Sequence, residues 1–258
     1  MSLLPVEFKL AAYAVNIIKP YQFAHLIRRY RRFLADVRLA NGDMLTVHCP
    51  NTGSMTGCSA PGSRVVISQS ANPKRKYAWT LEMVRTNDTW VGVNTSVTNS
   101  LVQEAIENKI IADFGPVDSI HREVRVSAGS RLDFLLRTGS RHIYVEAKNC
   151  SLVVGKAALF PDAVTIRGTR HLHELAALIT RGFGAGLIFC VQREDADFFM
   201  PAAAVDPVYT EVIGKVKKAG VHIAAYQAEV RPDFVKLVRK LPVVIPDSLN
   251  DYNLKLGG

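Results

Sequence analysis

Ser130-Arg131-Leu132-Asp133-Phe134-Leu135-Leu136-Arg137-Thr138-Gly139-Ser140-Arg141-His142-Ile143-Tyr144-Val145-Glu146-Ala147-Lys148 reads as two strands, Arg131–Thr138 and Arg141–Lys148, around a two-residue turn. Gly139 supplies the positive φ that such a turn needs. In that register Asp133 faces Glu146 across the hairpin, with Cβ atoms about 5 Å apart. Lys148 stands two residues beyond Glu146 and therefore points to the same side. Two carboxylates and a lysine on one face suit metal-assisted phosphodiester hydrolysis. Mg2+ is a hard ion that takes oxygen ligands and keeps waters. Beside a phosphate it stabilises charge and acidifies a bound water, which the lysine can orient. Without a cation the two acids repel and one pKa rises. The plainer reading is a Glu146–Lys148 ion pair with Asp133 solvated. Against it, Ile143-Tyr144-Val145 run straight into the acid. The cluster then stands in a largely buried strand, where charges without a purpose are costly.

Around the hairpin, helices and strands alternate. Trp90–Val93 is a short strand, and Thr98-Asn99-Ser100 offers N-cap chemistry. Ser100 and Gln103 have capping-box spacing, so a helix is expected from about Leu101 to Ile111. Glu104, in its first turn, reads equally as a third oxygen ligand or as a solvated acid that favours the helix N-terminus. Arg170–Thr180 is a helix that ends at Gly182, with Leu172, Leu175, Ala176 and Ile179 as its buried stripe. Leu187–Val191 is a continuous apolar run and reads as a buried strand. Asp206-Pro207 is an N-cap with a first-turn proline, opening a helix that stops at Gly220. Val221–Tyr226 is the next strand. This is an α/β pattern, assigned to residues 85–245.

Residues 21–84 are different: short strands joined by turns. Phe33–Leu39, the Asn41-Gly42-Asp43 turn and Met44–Cys49 make a hairpin. Val65-Val66-Ile67 and Tyr77–Val84 add strands. A small β-barrel follows, with an OB-like barrel as one option. Residues 1–20 form an N-terminal extension. Its apolar run, Leu10–Ile18, has the length of a signal core, but Glu7 precedes it and Lys19-Pro20 stands where a cleavage site would be. A docked or partly ordered leader is the expectation. Residues 246–258 are a polar, loose tail.

The 258 residues carry 32 Lys and Arg against 23 Asp and Glu, a formal charge of +9. With 48% hydrophobic and 21% charged residues, a disordered, collagen-like or coiled-coil chain is excluded. The excess of positive charge points to a polyanion, nucleic acid first. No apolar run reaches a membrane span. Cys49, Cys58, Cys150 and Cys190 form no C-x-x-C pair and read as reduced, buried thiols of a cytoplasmic protein. Arg28, Arg29, Arg31 and Arg32 cluster around Tyr30, and Lys74-Arg75-Lys76 precedes Tyr77 and Trp79. Charge beside aromatic rings suits phosphates and bases. Arg29, Arg32, Lys74, Arg75 and Lys76 are therefore expected on DNA. Arg167 and Arg170 are expected to grip a phosphate near a helix start. Of His171 and His173, one is expected to face solvent or DNA, and His171 is the one assigned to DNA. Asn51-Thr52-Gly53-Ser54 reads as a phosphate nest or a plain turn.

Eight strings together resemble the A-type sugar fermentation stimulation proteins of bacteria: RRYRRFLADV (28–37), HCPNTGSMTGC (48–58), PKRKYAWTLEMVR (73–85), VGVNTSVTN (91–99), SRLDFLL (130–136), VEAKNCSLV (145–153), FPDAVTIRGTRHLHEL (160–175) and DPVYTEVIGKVKKAGV (206–221). The resemblance implies an N-terminal OB-fold and a PD-(D/E)xK restriction-endonuclease-like α/β domain. It also implies non-specific DNA binding and a regulatory role in maltose metabolism. Asp133, Glu146 and Lys148 fall on the superfamily's catalytic acids and lysine, and Glu104 on its upstream helix glutamate. Mg2+ or Mn2+ is then the cofactor, held by Asp133, Glu146 and Glu104. The first ~20 residues extend beyond the usual family start, and Ala147 and Asn149-Cys150-Ser151 replace an expected valine and threonine. The leading expectation is a DNA-binding protein with a metal-dependent nuclease site. The alternatives are a non-catalytic DNA-binding regulator and an enzyme acting on RNA or a small molecule.

Overall fold

The computed structural model describes residues 14–17 and 19–247. The expected leader up to residue 13 and the expected tail beyond residue 247 lie outside them. Val15–Asn16 form a short strand, β1. Six strands then follow: β2 (Tyr21–Tyr30), β3 (Leu34–Leu39), β4 (Met44–His48), β5 (Arg64–Gln69), β6 (Trp79–Thr86) and β7 (Thr89–Gly92). Their order is β4-β3-β2-β5-β6-β7, and a β4–β6 pairing at His48–Thr80 closes the sheet into an OB-like barrel. Inward residues alternate along the strands, as a closed sheet requires: Ala24 and Leu26, Ala35 and Val37, Val65 and Ile67 all join one core. The expected break at residue 84 falls inside β6. Asn87 and Asp88 both take positive φ, at 47° and 62°, and this tight hairpin brings β7 into the barrel sheet.

The second part begins with a 3-10 turn, Thr95–Val97, and α1 (Thr98–Glu107). Asn94 caps the turn, accepting from the Ser96 amide, and α1 continues from it without a side-chain cap. The expected Ser100–Gln103 box therefore lies inside the helix. β8 (Ser119–Ser127), β9 (Ser130–Thr138) and β10 (Arg141–Cys150) follow, then β11 (Leu152–Val154) and β12 (Ala157–Phe160). α2 (Ile166–Thr180), β13 (Gly184–Val191), β14 (Phe198–Pro201), α3 (Pro207–Lys218), β15 (His222–Arg231) and β16 (Phe234–Leu241) complete the chain. Asp206 caps α3 by accepting from the Tyr209 amide at 2.9 Å.

The main sheet has the order β1-β16-β15-β13-β10-β9-β8, and β10, β13 and β15 run parallel. Its central strands are buried on both faces, so they read as apolar runs rather than alternating ones. In β10, Ile143, Val145 and Ala147 pack with α1, whereas Tyr144 and Cys150 pack on the side of α2 and α3. That alternation delivers Glu146 and Lys148 to the α2 side. The β9–β10 register is the one expected, from Arg141–Thr138 through Val145–Phe134, with Gly139 at φ 57°. β1 pairs with β16 through Val15–Val235. Among the described residues no helix is long and apolar enough to cross a membrane.

The barrel docks on the α/β part through its Asn51–Met55 loop. The Met55 amide donates to Asp162 Oδ2 at 2.9 Å, and Ser54 Oγ donates to the Asp162 carbonyl. Thr95 Oγ1 donates to the Pro50 carbonyl at 3.0 Å, and the Gly92 amide to the Gln192 carbonyl at 2.8 Å. A Cβ on Gly53 would stand 2.3 Å from Asp162 Oδ1, so only glycine allows this approach. Gly53→Ala is expected to destabilise the chain by about 1–3 kcal/mol through overcrowding. The same substitution made on an Asp162→Ala background should cost less, because the clash is gone. A thermal-melt double-mutant cycle reads the coupling; strict additivity would place the loop elsewhere.

Candidate functional site

The loop, the hairpin and the start of α2 enclose a cleft of about 620 Å³. Asp133, Glu146 and Lys148 line it, with Asn99 from α1 and Arg32, Asn51, Thr52 and Gly53 from the barrel. Arg122, Glu123, Asp162 and Arg167 complete its charged wall. Glu146 is 3% exposed. Its Oε1 accepts from Lys148 Nζ at 2.5 Å and from His171 Nδ1. Its Oε2 is buried with no partner. Asp133 accepts from Asn99 Nδ2 and from the Ala147 amide, both at 2.8 Å.

Several sequence expectations land elsewhere. Glu104 is not in the cleft; it sits beside Asn108, Ile110, Lys236 and Leu237. It lies five residues along α1 from Asn99, which is about 140° around a helix of 3.6 residues per turn. Asn99 therefore faces Asp133 and Glu104 cannot. His171, expected on DNA, is 2% exposed. It precedes Leu175 by one helical turn, so it joins the buried stripe of Leu172, Leu175 and Leu178 and meets Glu146. Arg167 Nε faces its Nε2 at 3.5 Å, which leaves Nδ1 as the donor to Glu146. The helix itself starts at Ile166, four residues before the expected Arg170, because Thr165 caps it on the Gly168 amide.

Arg29, also expected on DNA, is spent inside the protein. Its Nη2 donates to the carbonyls of Arg32, Asn51 and Gly53, each at 2.7 Å, and Nη1 to that of Ser54 at 3.3 Å. It builds the loop whose backbone the sequence offered as a phosphate nest. Arg75 bonds Thr80 Oγ1 and His48 Nδ1. Lys74, Lys76 and Arg170 are exposed on the surface, and Arg32 and Arg167 reach the cleft. Arg122, Glu123 and Asp162 were not singled out from the sequence, and Asn99 was read only as N-cap chemistry. Polar residues on an exposed strand and in a loop carry no periodic signal.

The two carboxylates titrate apart. Burial first, then the Glu146 charge, pushes Asp133 up to about 6. Burial acts on Glu146 too, but the His171 hydrogen bond and the Lys148 charge outweigh it and hold Glu146 below the usual range. A buried, ionised carboxylate with an orphaned oxygen, beside a second acid that resists ionising, is a site that a cation would relieve. Among the described residues no three His, Cys, Asp or Glu side chains converge to hold a metal.

The raised Asp133 value has a consequence for stability. A carboxyl that keeps its proton on folding costs nothing below its ordinary 3.8 and progressively more as pH rises towards the folded value of about 6. Asp133→Asn removes that cost. In metal-free buffer the variant should match the wild type at pH 4 and exceed it at pH 8, towards a ceiling of about 3 kcal/mol. Denaturant melts at the two pH values test this; an equal difference at both would exclude the titration.

The comparisons with known proteins agree with this architecture. The family model described as "Sugar fermentation stimulation protein RE domain" matches residues 96–234, and "SfsA N-terminal OB domain" matches residues 27–93. A sugar fermentation stimulation protein homolog of Desulfotalea psychrophila is 50% identical over 225 residues, covering 87% of this chain and 93% of that protein. Its counterpart in Pelobacter propionicus is 49% identical over 220 residues, covering 85% and 96%. Among solved structures, Pyrococcus furiosus SfsA in complex with Ca2+ superimposes with a TM-score of 0.82 at 26% identity, covering 89% of this chain and 98% of that one. With an OB-like barrel ahead of a PD-(D/E)xK-like α/β domain, and with both family models matched in that order, the chain belongs to the sugar fermentation stimulation protein family.

Proposed function

We propose that this chain binds nucleic acid, DNA in the first place and without sequence preference, and carries a divalent-metal-dependent phosphodiesterase site in its cleft. The observation that carries this reading is the buried, unpartnered Oε2 of Glu146 beside Asp133, in a cleft that Arg32, Arg122, Lys148 and Arg167 also line. A related protein was solved in complex with Ca2+, which supports an affinity for a hard cation in this fold.

Asp133 and Glu146 would hold Mg2+ or Mn2+. When bound, the ion neutralises phosphate charge and acidifies a water. The chain's own residues do the rest. Asn99 and the Ala147 amide fix Asp133 at two oxygens. His171 fixes Glu146 from beneath, as a partner behind a ligand does. Lys148 sits on Glu146 Oε1 with two further donors free to orient a water or meet a phosphoryl oxygen. Arg32 and Arg167, which both line the cleft, would grip the phosphates that flank the scissile one. Lys74 and Lys76, exposed on the barrel with Lys76 5.6 Å over the Tyr77 ring, would extend the contact along the strand.

Labelled single- and double-stranded DNA and RNA, offered with Mg2+ or Mn2+, test the reading. Cleavage should occur on at least one substrate and disappear with EDTA and in Lys148→Ala, while binding persists. Binding without cleavage on any substrate would favour a non-catalytic DNA-binding regulator. Replacing Lys74 and Lys76 together should reduce the slope of log K against log salt by about 2. An unchanged slope would remove the barrel face from the interface.

A further inference from the structure

Glu123 has a backbone that its side chain does not explain. Its φ is 53°, a left-handed value that costs a residue other than glycine, asparagine or aspartate and that concentrates at functional sites. No hydrogen bond or ion pair holds its exposed carboxylate among the described residues. The β8–β9 ladder pairs Arg122 with Phe134 and Val124 with Leu132, which leaves Glu123 alone opposite Asp133. The β9–β10 ladder pairs Phe134 with Val145, so the next position sets Asp133 opposite Glu146. Glu123, Asp133 and Glu146 thus form a row across three adjacent strands, at the strand spacing of about 4.8 Å. All three line the one cleft.

Resting on the metal-dependent reading above, we infer that Glu123 is the third carboxylate of the cation site. A pair of acids leaves a hard divalent ion short of oxygen ligands. Glu146 contributes a buried oxygen with no partner, and Asp133 contributes a carboxyl at the centre of the row. Glu123 stands on the open side of Asp133, where its exposed side chain is free to turn. A cation held by Asp133 and Glu146 would draw the exposed Glu123 carboxylate inward. The strained backbone at residue 123 then has a purpose, since it sets a long, flexible acid at the mouth of the cleft.

The test is Mn2+ titration by calorimetry into the EDTA-stripped full chain, with melting temperatures measured on the same samples. Glu123→Gln keeps size and strain and should weaken Mn2+ about tenfold. Glu123→Gly should weaken it alike while raising Tm by about 2 °C, because glycine accepts the left-handed backbone. Asp133→Asn should weaken it at least as much. If Glu123→Gln binds Mn2+ within about twofold of wild type while Asp133→Asn is impaired, Glu123 is no ligand and the two-acid site stands. If the wild type binds no Mn2+, both this inference and the metal-dependent function fall.

Discussion

The structure turns on one buried carboxylate. Glu146 sits at the centre of the sheet, under α2, with Lys148 and His171 on one oxygen and nothing on the other. An isolated buried charge is costly, and two cationic or polar partners only half satisfy this one. The neighbouring elements are arranged accordingly. β10 carries Glu146 and Lys148 to the same face, α2 lowers His171 onto the acid, and β9 brings Asp133 alongside. A core built for stability alone would place an apolar residue there. Under the proposed function a cation completes the set.

The barrel shares in the site rather than merely preceding it. Arg29 gathers the carbonyls of its own hairpin and of the Asn51–Ser54 loop, and Asp162 receives that loop from the other side. The cleft therefore has one wall from each part of the chain. Arg31 and Arg32 turn the β2–β3 hairpin at φ 51° and 62°, positions where asparagine and glycine are preferred. Arg32 lines the cleft from that turn. Left-handed backbone thus borders the cleft at Arg32, where it belongs to a tight hairpin like that of Asn87-Asp88, and at Glu123, where no turn accounts for it.

Much of this was legible in the sequence, and the gaps have physical causes. The hairpin register was legible because a two-residue turn and a period of two leave no freedom once Gly139 is placed. Asp206-Pro207 was legible because the cap and the missing N–H coincide. His171 was misplaced because its charge-bearing neighbours outweighed its spacing; one turn before Leu175, it had to be buried. Glu104, left open by the residues, went to the metal only through the family resemblance; its helical angle turns it from the cleft, and Asn99 holds the position that faces Asp133. β8 gave no warning, since its polar, largely exposed residues lack a buried face to set a period. Arg29 looked like its exposed neighbours, and only the fold reveals the carbonyls around it.

Under the proposed function, Asp133 and the free oxygen of Glu146 face one cation. The most direct measurement is anomalous diffraction from crystals of the chain soaked in Mn2+ with a non-hydrolysable oligonucleotide. The expected result is a single strong peak within coordination distance of Glu146 Oε2 and an Asp133 oxygen, with Lys148 turned towards the phosphate. A strand seated in the cleft with no peak there, and Lys148 still on Glu146, would contradict it.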